Sequence, residues 1–91
     1  MQITVRGHQG RVRVGYQTAA AITSFALTPL TPGSWTVEGS VETVDLFWVS
    51  QGPPFTLELH IGKQRWTWRG AAVEVSGGLV RGTVTGRPER V

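Results

Sequence analysis

Hydrophobic and polar residues alternate strictly over Phe55–Ile61 and again over Gln64–Arg69, with Gly62-Lys63 between the two runs. Alternation with a period of two is typical of a half-buried strand, and a two-residue turn with glycine joins such strands into a β-hairpin. A slip of one residue would turn the tryptophans toward water, so the pairing is well specified. The predicted pairs are Ile61 with Gln64, Leu59 with Trp66, Leu57 with Trp68, His60 with Arg65, Glu58 with Thr67 and Thr56 with Arg69.

The same alternation continues over Val73–Ser76 and Leu79–Thr85, which are separated by Gly77-Gly78. This pattern predicts a further hairpin that turns at the two glycines. Between the two hairpins the apolar residues change from even to odd positions, and a β-bulge near Gly70 accounts for that change. The pairs predicted for this hairpin are Val75 with Val80 and Glu74 with Arg81.

Alternation in the first third of the chain predicts strands as well. Ile3–Arg6 and Arg11–Tyr16 form a first hairpin around Gly7–Gly10, with one apolar and one basic face. Thr18–Thr28 is ambiguous, because the run Ala19–Ala21 favours helix whereas the β-branched residues and the alternation over Ile22–Leu27 favour strand. We predict a strand there, since the segment lacks a helical apolar stripe.

Prolines and glycines divide the middle of the chain. Pro29 and Pro32-Gly33 predict that the preceding strand ends in an exposed loop. Trp35–Glu38 starts the next strand, and Gln51–Pro54 is predicted to be a turn or loop.

Gly39–Val49 has two interpretations. A helix from an N-cap at Ser40 to a stop at Gly52 is one, but its apolar side chains would point nearly all round. We therefore prefer a bent or bulged strand. The apolar face of that strand consists of Val44, Leu46 and Trp48.

Together these segments predict a single all-β domain over residues 1–91, an antiparallel β-sandwich or partly closed barrel of about seven or eight strands built from hairpins. The polar segment Gly86–Val91 is predicted to be a flexible tail. Aromatic side chains supply much of the core. The tryptophans assigned to it are Trp35, Trp48, Trp66 and Trp68.

The amino-acid composition limits the cellular compartment and the classes of partner that we expect. The chain has no cysteine, which excludes disulfides and thiolate metal sites, and it lacks the ~20 consecutive apolar residues of a membrane span. Met1–Arg6 has no apolar signal core, so we expect an authentic start and synthesis in the cytoplasm. The net charge of +3, with eight Arg and one Lys, permits binding to nucleic acid without requiring it.

Catalytic and metal-binding patterns do not stand out. His8 and His60, the two histidines, lie in a predicted turn and on a hairpin face, short of the three protein ligands of a catalytic zinc site. The carboxylates are scattered, the serines lack a nucleophile elbow, and the glycines mark turns and bulges. We predict a protein that is not an enzyme and that binds no metal and no cofactor.

Two clusters have a binding interpretation beside a structural one. Trp66 and Trp68 with their flanking arginines resemble a stacking platform for single-stranded nucleic acid, but their alternation with polar residues favours the core. The arginines of the predicted first hairpin have three interpretations: they contact phosphates, they form a solvated face, or they pair with acidic residues of an identical neighbour. These arginines are Arg6, Arg11 and Arg13.

The order of several short segments resembles a family of small β-sandwich proteins in the virions of tailed phages, above all tail-tube and related proteins. The resemblance covers most of the chain and implies a structural, self-associating protein without catalytic residues. The segments that carry it are Gly10–Gly15, Ala21–Phe25, Trp35–Gly39, Leu57–Gly70 and Gly86–Glu89.

We therefore expect a virion structural protein of a tailed phage, in the tail tube, tail, baseplate, neck or decoration, assembled in the host cytoplasm. Its expected partners are copies of itself in a ring or larger oligomer and other virion proteins, and no membrane. The alternatives are a small basic SH3- or OB-like barrel that binds nucleic acid, and a small phage inhibitor of a host protein. The predicted interface residues are Arg6, Arg11, Arg13, Pro32, Gly33, Gln51, Arg87, Glu89 and Arg90. Of these, Arg6, Arg11, Arg13 and Arg87 are expected to pair with Glu38, Glu42 or Asp45 of a neighbour.

Overall fold

The structure is a computed structural model that describes residues 3–91; Met1 and Gln2, the start of the expected N-terminal segment, lie outside the described residues. The described chain forms eight strands and one single-turn helix. The elements are β1 (Val5–Gly7), β2 (Gly10–Val14), β3 (Gln17–Thr31), β4 (Ser34–Glu42), α1 (Leu46–Val49), β5 (Phe55–Ile61), β6 (Gln64–Ser76), β7 (Leu79–Thr85) and β8 (Glu89–Arg90).

Six strands form one closed antiparallel barrel. Around the ring β3, β2, β5, β6, β7 and β4 each pair with the next strand, and the pairing of β4 with β3 closes it. The all-β prediction and the barrel alternative are confirmed, whereas the structure has one closed sheet and not the two packed sheets of a sandwich. The long strands β3 and β6 make closure possible, because each carries register shifts and pairs with different strands along its length.

β1 and β2 lie end to end along β3, and they pair with it in one register from Val5 to Val12. The hairpin predicted around Gly7–Gly10 is therefore wrong. A Cβ atom on Gly7 would lie 2.4 Å from the ring of Phe25, and one on Gly10 would lie 2.5 Å from the carbonyl oxygen of Glu58. These two glycines permit close packing of neighbouring strands and do not form a turn.

The predicted register of the last two hairpins is confirmed. Five of the six predicted β5–β6 pairs and both predicted β6–β7 pairs are present. The pair between Thr56 and Arg69 does not form, because a register shift brings Phe55 opposite Ala71. Gly70 supplies the bulge with φ of 76°, a conformation that favours glycine, so the predicted bulge is confirmed as well.

The strand predicted over Thr18–Thr28 is confirmed, but the loop predicted to begin at Pro29 is wrong. β3 continues to Thr31 and turns into β4 at Pro32-Gly33. Pro29 lies where the β3–β4 register shifts, a position that tolerates the missing N–H group of proline.

The predicted tail Gly86–Val91 lies along β6 in the structure. β8 pairs with Trp66 and Thr67. Val91 then both donates to and accepts from the backbone of Arg65, at 3.1 and 2.9 Å. The tail is therefore held to the barrel by backbone hydrogen bonds.

The barrel interior holds the predicted core face of the β5–β6 hairpin. Leu57 and Leu59 are fully buried, Trp68 is nearly so, and Trp66 is half-buried at the edge of the same cluster. The ring of Trp68 lies 6.0 Å from that of Trp35 and 6.1 Å from that of Trp66, measured between centroids. Contacts between tilted rings at such distances add to the stability gained from burial.

Candidate functional site

The segment after β4 forms α1, so the bent strand predicted over Gly39–Val49 is wrong beyond the end of β4. The Asp45 carboxylate caps the helix by accepting hydrogen bonds from the N–H groups of Phe47 and Trp48, at 3.1 and 3.4 Å. The N–H group of Asp45 donates to the carbonyl of Ala19 at 2.7 Å. This contact fixes the turn to the beginning of β3.

The C-terminal side of α1 is held as well. The Ser50 hydroxyl donates to the carbonyl of Phe47 at 2.7 Å, and the Gln51 amide donates to the same carbonyl at 3.3 Å. The helical alternative places the N-cap at Ser40, which is too early. The signal for the observed helix is Asp45 directly before an apolar run, the ordinary sequence mark of an N-cap.

α1 turns two side chains inward and two outward. Because a helix rotates by about 100° per residue, four successive apolar residues cannot share one face. Trp48 and Val49 pack against the core, whereas Leu46 and Phe47 are 77% and 64% exposed. We call Leu46 and Phe47 the apolar knob.

A second apolar surface lies at the other end of β3. Pro29–Gly33 and Trp35 line a shallow groove of about 380 Å³, which we call the hairpin groove. Leu30 is 51% exposed there, while Trp35 is half-buried. The N–H group of Gly86 donates to the carbonyl of Gly33 at 2.7 Å, so Arg87 follows directly beside the groove.

Glu58 is a buried carboxylate on the outer wall of the barrel, opposite Arg11 of β2. The Nε atom of Arg11 lies 2.5 Å from one carboxylate oxygen, and the Nε atom of Arg13 lies 3.1 Å from the other. The Arg13 Nε is buried and its geometry falls short of a hydrogen bond. The two arginines thus cover the carboxylate from water and neutralise it.

The titration of Glu58 reflects these neighbours. Burial alone would raise the pKa of Glu58, but the hydrogen bond from Arg11 and the positive charges of Arg11, Arg13 and Arg65 outweigh it. The pKa of Glu58 therefore lies below its ordinary value, and the group remains a carboxylate at neutral pH. Its geometry makes it a structural ion pair of the barrel wall.

The aromatic cluster does not form an open stacking platform. Trp68 is buried and its indole N–H donates to the carbonyl of Gly86 at 3.1 Å. Trp66 is half-buried, and the guanidinium of Arg90 lies over its ring, 4.2 Å from the centroid. The core interpretation is confirmed for Trp68, and in Trp66 one ring face is occupied by the chain's own cation.

The nine predicted interface residues fall into two groups. Arg11 and Arg13 are partly buried and bind Glu58 within the chain. The other seven are exposed, and the structure divides them between β1, the hairpin groove, the end of α1 and the tail. They are Arg6, Pro32, Gly33, Gln51, Arg87, Glu89 and Arg90.

The structure also shows where the acidic residues lie that are predicted to pair with these arginines. Glu38 lies 3.9 Å from Arg81 on the barrel surface, and Asp45 caps α1. Glu42 is exposed at the end of β4. The strand predicted for this segment did not reveal the knob, because a strand period assigns Leu46 to the buried face.

Within residues 3–91 no group of three or more histidine, cysteine or acidic side chains gathers in a way that would hold a metal ion. The same residues include no helix long and apolar enough to cross a membrane. The chain matches no family model, no curated protein and no solved structure. The fold and surfaces therefore define its class as a small closed antiparallel β-barrel with an exposed apolar knob.

Proposed function

We propose that this chain is a non-enzymatic structural protein of a tailed-phage virion, which assembles with copies of itself and docks on other virion proteins. The observation that carries the proposal is the apolar knob. Leu46 and Phe47 are largely exposed, yet they stand on a turn capped on both sides and anchored to β3. Large apolar side chains held rigidly in water mark a surface that a partner covers.

The energy available at the knob fits a weak contact that is repeated many times. Full burial of a Leu or Phe side chain contributes about 1.5–3 kcal/mol. Two such side chains contribute about 3–6 kcal/mol, only the lower part of the ~4–15 kcal/mol lost when two free proteins associate, so free subunits associate weakly and only at high concentration. Contacts of this strength hold when each subunit is bound on several sides at once, as in a ring or a particle.

The remaining surface supports an assembly that uses side chains more than strand edges. β1 and β8 lie outside the closed ring, and each pairs on one side with a single strand among the described residues. They are three and two residues long and carry Arg6 and Arg90. Short, charged edge strands discourage pairing with other chains, so the apolar surfaces are the better contact sites.

The test is mass spectrometry of purified particles of the phage that encodes the chain. We expect the protein in intact particles at a fixed copy number, and we expect it to remain there after high-salt washing. A chain absent from particles, and monomeric at every concentration, would contradict the proposal and favour the inhibitor of a host protein.

A second candidate, binding to single-stranded nucleic acid, is favoured by the outer wall of β2, β5 and β6. Arg11, Arg13 and Arg65 surround the single carboxylate of Glu58, and Arg69 is exposed nearby on β6. Arg69 pairs with the exposed carboxylate of Glu89 at 3.4 Å, so the face holds four arginines against two carboxylates. Such a face attracts phosphates, with an affinity that falls steeply with salt. Tight binding of single-stranded DNA at low salt, lost in Arg65→Ala/Arg69→Ala but kept in Arg81→Ala, would favour this candidate.

A further inference from the structure

The apolar knob and the hairpin groove belong to opposite ends of one strand. α1 is anchored to Ala19 near the beginning of β3, and the groove is formed where β3 turns into β4. Between Ala19 and Pro29 an extended strand covers about 33 Å at ~3.3 Å per residue. The molecule measures 39 Å along its longest axis, so the two surfaces cannot meet within one chain.

The two surfaces match in polarity, since both are apolar and open to solvent. Leu46 and Phe47 are exposed on a fixed turn, where they line a shallow surface together with Val44. The hairpin groove is bordered by prolines, Leu30 and Trp35. Both are exposed in the free chain. Each surface therefore has apolar area that is exposed to water and that the other surface could cover.

The charges beside the two surfaces are opposite. Asp45 directly precedes the knob, and Glu42 ends β4 shortly before it in the chain. Arg87 is exposed beside the groove, next to the Gly86–Gly33 hydrogen bond. Contact between unlike ends brings Arg87 toward the acidic residues, whereas contact between like ends would place like charges together.

We propose that the apolar knob of one copy seats in the hairpin groove of the next, so that copies of this chain join head to tail. The inference rests on the proposed function, because it names the contact by which the subunits assemble. A head-to-tail contact uses two different surfaces of each subunit, and it generates a ring where the rotation closes and a filament where it does not.

The chain has no cysteine, so single engineered cysteines report the contact without interference. Thr31→Cys marks the groove, and Val44→Cys marks the flank of the knob without removing Leu46 or Phe47. Ala72→Cys, on the exposed barrel wall, serves as the matched control. Each variant is purified at full length, checked for an unchanged circular dichroism spectrum, mixed pairwise and oxidised, and the disulfide-linked dimers are measured on a non-reducing gel.

We expect the mixture of Thr31→Cys with Val44→Cys to form several-fold more linked dimer than either variant alone or than any mixture with Ala72→Cys. Self-association of the chain with linkage mainly of Thr31→Cys to itself, or of Val44→Cys to itself, would overturn the head-to-tail contact and leave the proposed function intact. Equal linkage in all mixtures would overturn it too. The proposed function fails on a different result, the absence of the protein from particles.

Discussion

Two short apolar segments of this chain, one in β6 and one in α1, differ in how many of their large side chains are buried. In β6, Trp66 and Trp68 alternate with polar residues, and their rings pack in or against the hydrophobic core of the barrel. In α1, four apolar residues follow one another, and the helical turn sends Trp48 and Val49 inward and the knob outward. The period of the backbone, and not the apolarity of the residues, decides which side chains stabilise the fold and which remain for a partner.

The comparison predicts that residues which stabilise the fold and residues which bind a partner are different residues. Substitutions in β6 and on the barrel wall should change the free energy of unfolding and affect assembly only through loss of the fold. Substitutions in the knob should leave the free energy of unfolding almost unchanged and act on assembly directly.

Trp68→Ala gives the largest expected effect. The indole is buried against Trp35 and Trp66 and loses its hydrogen bond to Gly86, so we expect a loss of about 3–5 kcal/mol in the free energy of unfolding. For a small domain such a loss is a large part of the total stability. Urea unfolding followed by tryptophan fluorescence measures it, with Leu46→Ala as the control at an exposed position. Equal unfolding midpoints for Trp68→Ala and the parent would contradict the assignment of this face to the core.

Glu58→Gln should cost about 1.5–3 kcal/mol at neutral pH, because charged hydrogen bonds are lost where the carboxylate is buried. The pKa of Glu58 is lowered in the folded state from an ordinary value of 4.5. Its contribution is therefore fully present above about pH 4.5 and is lost as the pH falls through the folded-state pKa. The parent should lose stability over that range, and Glu58→Gln should lose less. Identical pH profiles of thermal unfolding for the two proteins would show that the ion pair contributes nothing.

Gly39→Ala tests the seam where β4 closes on β3. A Cβ atom there would lie 2.3 Å from the carbonyl oxygen of Ser24, a backbone atom that cannot move aside freely. We expect a loss of about 1–3 kcal/mol, typical of overpacking. The neighbouring change Ser40→Ala serves as the control in the same thermal unfolding assay. A barrel that accepts Gly39→Ala without loss would be more loosely closed than the structure indicates.

The sequence predicts the barrel best where alternation and turn glycines agree. Gly62-Lys63 and Gly77-Gly78 fix the last two hairpins pair by pair, because both local signals point to the same register. Gly7 and Gly10 led to the wrong prediction of a hairpin at this place. A glycine that a close contact between strands requires has the same sequence signal as a glycine in a turn, and only the position of the neighbouring strand distinguishes them.

The candidate site is less predictable from the sequence. The partner of Asp45 is the carbonyl of Ala19, far away along the chain, so the anchoring of α1 depends on tertiary structure. The burial of Glu58 likewise depends on the distant residues Arg11 and Arg13. The exposed proline–glycine turn of the hairpin groove, by contrast, follows from Pro32-Gly33 directly.

The smallest expected effect on stability belongs to the knob, where Leu46→Ser/Phe47→Ser should lower the free energy of unfolding by about 1 kcal/mol or less. Most of this loss comes from the edge contact between the rings of Phe47 and Trp48, whose centroids lie 5.0 Å apart. Its matched control is Leu79→Ser, a change at another large apolar residue that is 50% exposed. Both variants should keep the circular dichroism spectrum and the cooperative thermal unfolding of the parent.

The most direct test of the assembly surface is the native mass of these three proteins, measured by light scattering over a rising concentration series. We expect the parent and Leu79→Ser to form oligomers as the concentration rises, and Leu46→Ser/Phe47→Ser to remain monomeric while fully folded. Oligomers of the double variant at the same concentrations as the parent, or a parent that stays monomeric throughout, would contradict the role of the knob.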